Sequence, residues 1–265
     1  MPAFFCNVLI IIKKNVYFLV LIKYTYMKNL ILSFVAIFFV ASCSQSNSEE
    51  ASVPVIEYVW HSAGSDFNSK NLAKLIIEWN YIITSSGMEM NGANILTPQV
   101  ANDGYDFIWV IRWPSMAARD AGWDWWTNNA STGWDKSIDG IMSFNPVNAY
   151  AFEVSNVSPP KIETNTGSFS NRFHFCSYNE GFGDESLEIF KDAVDSNLWT
   201  DTYWNVLLNP TFNLDPKPDF VWLDLWADDT DKEIALKKFM DSEYVNMYLE
   251  MFKCNTADFN GTVIR

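Results

Sequence analysis

The two histidines of this 265-residue chain, His61 and His174, each fall in a segment of alternating, β-branched and aromatic residues. Alternate residues of a strand share a face, which groups His61 with Glu57 and Val59, and His174 with Arg172 and Cys176. Imidazole changes charge near neutral pH and serves as a general base or as a hydrogen-bonding partner for a ligand. A carboxylate, Asp224, stands in a third such segment, Phe220-Val221-Trp222-Leu223-Asp224-Leu225-Trp226. His61, His174 and Asp224 are therefore the candidate catalytic groups, with Arg112 as an alternative polar partner to Asp224. Glu57, Trp109, Arg112, Trp113, Trp222 and Trp226 are the candidate ligand contacts. An apolar wall with few polar groups is the usual form of a small-molecule site. Each has a plainer reading: a histidine hydrogen-bonded within its strand, and tryptophans that fill a core.

Other chemistries find less support. Two histidines without a tight run of His, Asp or Glu do not make a metal site, and neither metal nor cofactor is expected. No Ser-His-Asp set, phosphate loop or Cys-x-x-Cys pair stands out. The acids Asp228, Asp229, Asp231 and Glu233 lack the glycine of a calcium loop. They suit a helix N-terminus, where the macrodipole favours negative charge.

The elements that must position these residues come in two copies. Tyr105-Asp106-Phe107-Ile108-Trp109-Val110-Ile111-Arg112-Trp113 returns as Pro218-Asp219-Phe220-Val221-Trp222-Leu223-Asp224-Leu225-Trp226, a constant 113 residues on. A helix-like run follows each copy. Around them the order β-α-β-β-α-β is read twice, as two ferredoxin-like units. The first unit spans 54–158, 159–171 is a linker, and the second spans 172–265. The expected fold is α+β, with the two units closing into one intramolecular α/β barrel. Turns are read at Asn102-Asp103-Gly104 and over Leu214–Pro218, and one helix from about Asp231 to Phe252. Ile108, Val110, Val221, Leu223 and Leu225 are expected under the helices. The opposite face, with its tryptophans and Asp224, is expected to line the barrel interior.

The N-terminal part reads as a leader. Met27-Lys28-Asn29 is a short positive stretch, Leu30 to Val40 an apolar run, and Ala41-Ser42 small residues before Cys43. Val40-Ala41-Ser42-Cys43 resembles the lipobox of bacterial lipoproteins, which implies cleavage before Cys43 and its acylation. Residues 1–42 are then leader, with translation starting at Met27, and 43–53 a polar tether. The implied partner is the lipid bilayer. The implied place is the bacterial cell envelope, and Ser44 after the cysteine favours the outer membrane. The chain carries a net charge of −14. Four of its 18 basic residues and none of its 32 acidic ones lie before Cys43. So acidic a domain excludes nucleic acid as a partner. Of the four cysteines, Cys6 falls in the leader and Cys43 is the acyl site. Cys176 and Cys254 are expected to remain apart, because Cys254 falls between a helix and a strand. The chain is expected to be a monomer or a homodimer.

Arg112-Trp113-Pro114-Ser115-Met116-Ala117-Ala118-Arg119-Asp120-Ala121-Gly122-Trp123, with Trp134 beyond, resembles the signature of the dimeric α/β-barrel superfamily, closest to its NIPSNAP and EthD-like members. The second copy, Thr230 to Glu243, lacks the Arg-Asp-aromatic pattern. The resemblance implies two four-stranded antiparallel sheets, each backed by two helices, closing into a barrel. The activities it implies are diverse, from cofactor-free monooxygenases to small-ligand binders, so fold does not fix function. Three expectations follow. The first is a lipid-anchored binder of a small apolar or aromatic molecule in a Trp-lined interior. The second is a cofactor-independent, monooxygenase-like enzyme using His61 or His174. The third is a structural envelope protein with a filled barrel.

Overall fold

A computed structural model describes residues 52–164, 166–194, 198–213 and 216–265. The leader, Cys43 and most of the tether lie outside them, as do Leu214 and Asp215 of the second expected turn. Eight strands are described: β1 (Val55–Ala63), β2 (Gly92–Pro98), β3 (Phe107–Trp113), β4 (Met142–Ser158), β5 (Ser168–Tyr178), β6 (Trp204–Pro210), β7 (Phe220–Trp226) and β8 (Phe252–Val263). Six helices accompany them: α1 (Ser69–Ser86), α2 (Met116–Asn129), α3 (Ser131–Ile138), α4 (Asp184–Ala193), α5 (Asp229–Met240) and α6 (Tyr244–Met251).

The strands close into one antiparallel barrel in the order β1-β3-β2-β8-β5-β7-β6-β4. One arc is β4-β1-β3-β2 and the other β8-β5-β7-β6, joined at β2–β8 and β4–β6. The fold is therefore an eight-stranded antiparallel barrel with helices outside it, of mixed α and β content. Local chemistry sets the helices. Asn68 caps α1 by accepting from the Asn71 N–H, and Ser115 caps α2 by accepting from the Ala118 N–H. Leu75, Trp79 and Ile83 recur every four residues on α1 and form its buried face. Gly87, at φ 72°, ends that helix in the left-handed conformation that glycine adopts without steric cost.

The two faces of the strands are the reverse of the sequence expectation. Ile108, Val110, Val221, Leu223 and Leu225 point into the barrel, where they pack with Tyr58, Leu96, Phe152, Phe173 and Phe259. Edge-to-face contacts of Tyr58 with Phe152 (5.5 Å) and Phe173 (5.2 Å) fill its centre. Phe107, Trp109, Ile111 and Trp113 point outward, beneath α1, α2 and α3. Trp222, Asp224 and Trp226 are outward too, because each lies on the face of β7 opposite Val221, Leu223 and Leu225. The interior is thus aliphatic and aromatic, without the expected tryptophan lining. An eight-stranded barrel leaves only side-chain width inside, which suits compact aliphatics. The indoles of Trp109, Trp113, Trp222 and Trp226 fit the broader layer between sheet and helices, while Trp60 and Trp204 pack against the interior cluster.

Two further expectations fail near the C-terminus. The single helix expected from Asp231 to Phe252 is two helices, α5 and α6, and the strand begins directly at Phe252. Asp228 caps α5 by accepting from the Asp231 N–H. Because β8 starts early, Cys254 lies on a strand, directly opposite Cys176 of β5. The two form a disulfide, with Cα atoms 4.0 Å apart, across a sequence separation of 78 residues. A bridge closing so long a loop stabilises chiefly by restricting the unfolded chain, by roughly 2–4 kcal/mol. Replacing both cysteines by alanine is expected to lower unfolding free energy by about that amount in urea titrations.

Candidate functional site

The layer between the first arc and its helices holds a carboxylate with no exposure at all. Glu57, on the outward face of β1, is 0 % exposed. Arg119 of α2 donates to its Oε1 from Nε (2.8 Å) and Nη2 (2.6 Å). Trp113 Nε1 donates to Oε2 (3.0 Å), and Trp123 Nε1 lies within 3.0 Å of both oxygens. A buried charge survives only when paired and hydrogen-bonded, and here four N–H groups do both. Glu57 and Trp113 are thus occupied as a clamp between sheet and helix, and Glu57 has no capacity left for a ligand. Gly122 completes the clamp: a Cβ there would stand 2.6 Å from the Trp113 ring. The helix approaches the sheet this closely only because that atom is missing.

Beside the clamp lies a slot of about 50 Å³, partly open to solvent. Trp79, Trp109, Trp113, Trp123, Trp126 and Trp134 line it, with Met88, Met90 and His61. His61 is 5 % exposed and sits between the rings of Phe107 and Phe144, at centroid distances of 5.1 and 5.2 Å. Its Nδ1 is 2.9 Å from the Val59 carbonyl oxygen. A carbonyl can only accept, so Nδ1 carries the proton and Nε2 is a bare acceptor. Burial pulls its pKa down to about 4, against the raising effect of the Val59 bond, so the ring is neutral at pH 7. Trp109, 3 % exposed, has a centroid 5.8 Å from that of His61. Its Nε1 is buried without any partner. The apolar wall of the slot thus includes one residue with an unpartnered donor, Trp109, and one with an acceptor nitrogen, His61.

The second arc is built differently. Asp224, 6 % exposed, accepts from Tyr203 Oη (2.6 Å) and Trp222 Nε1 (2.6 Å), and lies 2.9 Å from His174 Nε2. His174 Nδ1 is 3.3 Å from the Tyr248 hydroxyl. Burial, reinforced by the Asp224 charge, pushes the Tyr203 hydroxyl well above its usual pKa. The same two causes push Tyr248 up to about 12. Of the residues singled out in the sequence, His174, Asp224 and Trp222 lie together here, but on the outward face of the sheet and not inside the barrel. Neither Asp224 nor His174 lines the slot. His61 belongs to the other arc and is not among their partners.

The remaining candidates scatter. Trp226 packs on Tyr203 and Ala235, with its Nε1 buried and unpartnered. Arg112 lines the barrel mouth, on the face opposite Trp109. Sequence reasoning missed Trp79, Met88, Met90, Arg119 and Tyr203 as site components. Leu72, Leu75, Ile76 and Trp79 stand at helical spacing in the sequence, which does not show which wall they meet. Among the described residues no three His, Cys, Asp or Glu side chains cluster as metal ligands.

The state of His61 makes a pH prediction. Its folded pKa of about 4 lies below the ordinary histidine value of 6.5, so below pH 6.5 the unfolded chain binds the extra proton. Stability is full above that pH and falls towards pH 4, by about 3 kcal/mol at 1.36 kcal/mol per unit. Urea titrations at pH 7 and pH 4 should show a smaller loss for His61→Phe than for the unsubstituted chain, by about that amount. Equal losses would mean that His61 is not the buried neutral group.

No protein-family model matches the chain, and no curated protein matches it. Solved structures do. A chlorite dismutase variant from Candidatus Nitrospira defluvii, in complex with cyanide, is 8 % identical at a TM-score of 0.50, covering 80 % of this chain and 91 % of that one. A candidate monooxygenase of Fusobacterium nucleatum subsp. nucleatum is 16 % identical at 0.48, covering 81 % and 94 %. An anthrone oxidase-like protein is 13 % identical at 0.46, covering 82 % and 93 %. At such identities the chlorite dismutase likeness establishes the fold and nothing more: this chain has an α/β barrel of that kind.

Proposed function

We propose that the protein binds a small, flat, largely apolar molecule carrying one hydroxyl-like group, in the slot beneath α1, α2 and α3. The observation that carries this is the pair of polar atoms left over there: the unpartnered N–H of Trp109 and the bare Nε2 of His61. A buried donor without a partner costs on the order of 1–3 kcal/mol. A phenolic hydroxyl, which accepts and donates at once, answers both. The size agrees. A closed cavity of about 150 Å³ holds benzene, so the slot of about 50 Å³ takes the hydroxyl-bearing edge of one ring, with the rest of the ring in its open side.

Binding is favoured over catalysis by the state of the bases. An imidazole with a pKa of about 4 is a hydrogen-bond acceptor, not an effective base at neutral pH. The Asp224 carboxylate already accepts from Tyr203 and Trp222 and faces His174. Monooxygenase-like chemistry on His61 or His174 is therefore the weaker reading. A purely structural barrel is weaker still, since it leaves the Trp109 donor unexplained.

We also read the two arcs as tandem ferredoxin-like units. Their equal internal strand order and the 113-residue spacing of β3 and β7 support this. The Ser115 to Trp123 motif supports a place near the NIPSNAP and EthD-like branch. For the N-terminal part we infer acylation at Cys43 and anchoring in the bacterial envelope, on the strength of the Val40-Ala41-Ser42-Cys43 sequence.

Two experiments test these readings. Calorimetry with phenol and with toluene should give tighter binding for phenol. Trp109→Phe should weaken phenol roughly tenfold, about the worth of one hydrogen bond, and leave toluene unchanged. Equal affinities for both ligands in both proteins would refute the reading. Separately, Cys43→Ala should move the protein from the membrane fraction to the soluble one, and unchanged fractionation would refute the anchor.

A further inference from the structure

The barrel is filled at its centre but not at one mouth. At the end where β1 begins and β3 ends lies a cavity of about 760 Å³. Its wall is mostly apolar, with Leu96, Val110, Val206, Leu223 and Leu225 among the lining residues, and Pro160 and Ile162 of the connection between the arcs on its rim. Two polar side chains on this wall are unsatisfied. Arg112 has its Nε buried without a partner, and its Nη2 makes only a 3.3 Å bond to the Asn91 carbonyl oxygen. No carboxylate among the described residues pairs with it. Glu163, exposed on the rim, lines the same cavity without forming an ion pair with it. Asn171, 1 % exposed, has its Oδ1 buried and unpartnered.

A guanidinium cannot escape its charge by deprotonating at neutral pH. Half-buried in an apolar wall, it favours an incoming anion, and no carboxylate among the described residues answers it in this position. We propose that the barrel mouth is a binding site, separate from the indole slot, for an amphipathic carboxylate: the carboxylate pairs with Arg112, and an apolar body occupies the cavity. One cation matches one negative charge, whereas a dianionic phosphate would leave a charge uncompensated in an apolar wall. The Asn171 carboxamide, which carries both donor and acceptor, supplies a second polar contact through either end. The cavity is far larger than the slot and suits an alkyl chain.

Calorimetry on the full chain with dodecanoate and dodecanol decides this without any substitution. Dodecanoate should bind one to one, and dodecanol at least tenfold more weakly. Arg112→Gln should bring dodecanoate down to the dodecanol level, with its melting curve showing that it folds. Leu223→Trp, which fills the cavity, should abolish binding of both. Saturating phenol should leave dodecanoate binding unchanged. Absence of dodecanoate binding, equal affinity for the acid and the alcohol, or competition by phenol would each overturn the proposal. So would a folded Arg112→Gln or Leu223→Trp protein that binds dodecanoate as the unsubstituted chain does.

Discussion

Closing eight strands into a barrel leaves an interior about as wide as the side chains that meet there. This chain meets that constraint with Val110, Val221, Leu223 and an aromatic cluster around Tyr58. Alternation along each strand then sends every second residue outward. Large or charged side chains such as Trp109, Trp113, Glu57 and Asp224 therefore go beneath the helices. The location of the chemistry follows from this sorting. Polar groups that could meet a ligand lie in the helix layer or at a barrel mouth, because the middle of the barrel has no room for them.

Within the helix layer each arc solves one problem, a buried carboxylate, in its own way. Glu57 is neutralised by Arg119 and held by two indoles. Asp224 has no arginine; a hydroxyl, an indole and an imidazole surround it instead. The first solution draws α2 tight against the sheet through Gly122 and leaves a slot beside the clamp. In the second, the donors converge on the carboxylate itself. The asymmetry explains how two arcs of the same strand order differ in what they could bind.

Much of this order could be read from the residues. The 113-residue repeat gave two strands of equal length at the expected places, and Ser115 was visible at the head of its helix. Which face turned inward could not be read, because a period of two is the same from either side. Only closure, and the width it leaves, decides it. Cys176 and Cys254 were missed for a local reason: the break between α5 and α6 moves the start of β8 back to Phe252 and brings Cys254 onto the strand. Arg119 stood in a recognisable motif, yet its partner Glu57 lies 62 residues away and only the packed helix joins them. His61 was found by type, but its neutral state is a consequence of burial between Phe107 and Phe144.

The proposed binding turns on the unpartnered N–H of Trp109. Nitrogen-15 spectra of the indole groups, with the Trp109 signal identified by its absence in Trp109→Phe, observe that atom directly. On titration with phenol, the Trp109 signal should shift furthest of the indole resonances, while that of Trp226, in the other arc, stays in place. A Trp109 signal that does not move at saturating phenol would contradict the account.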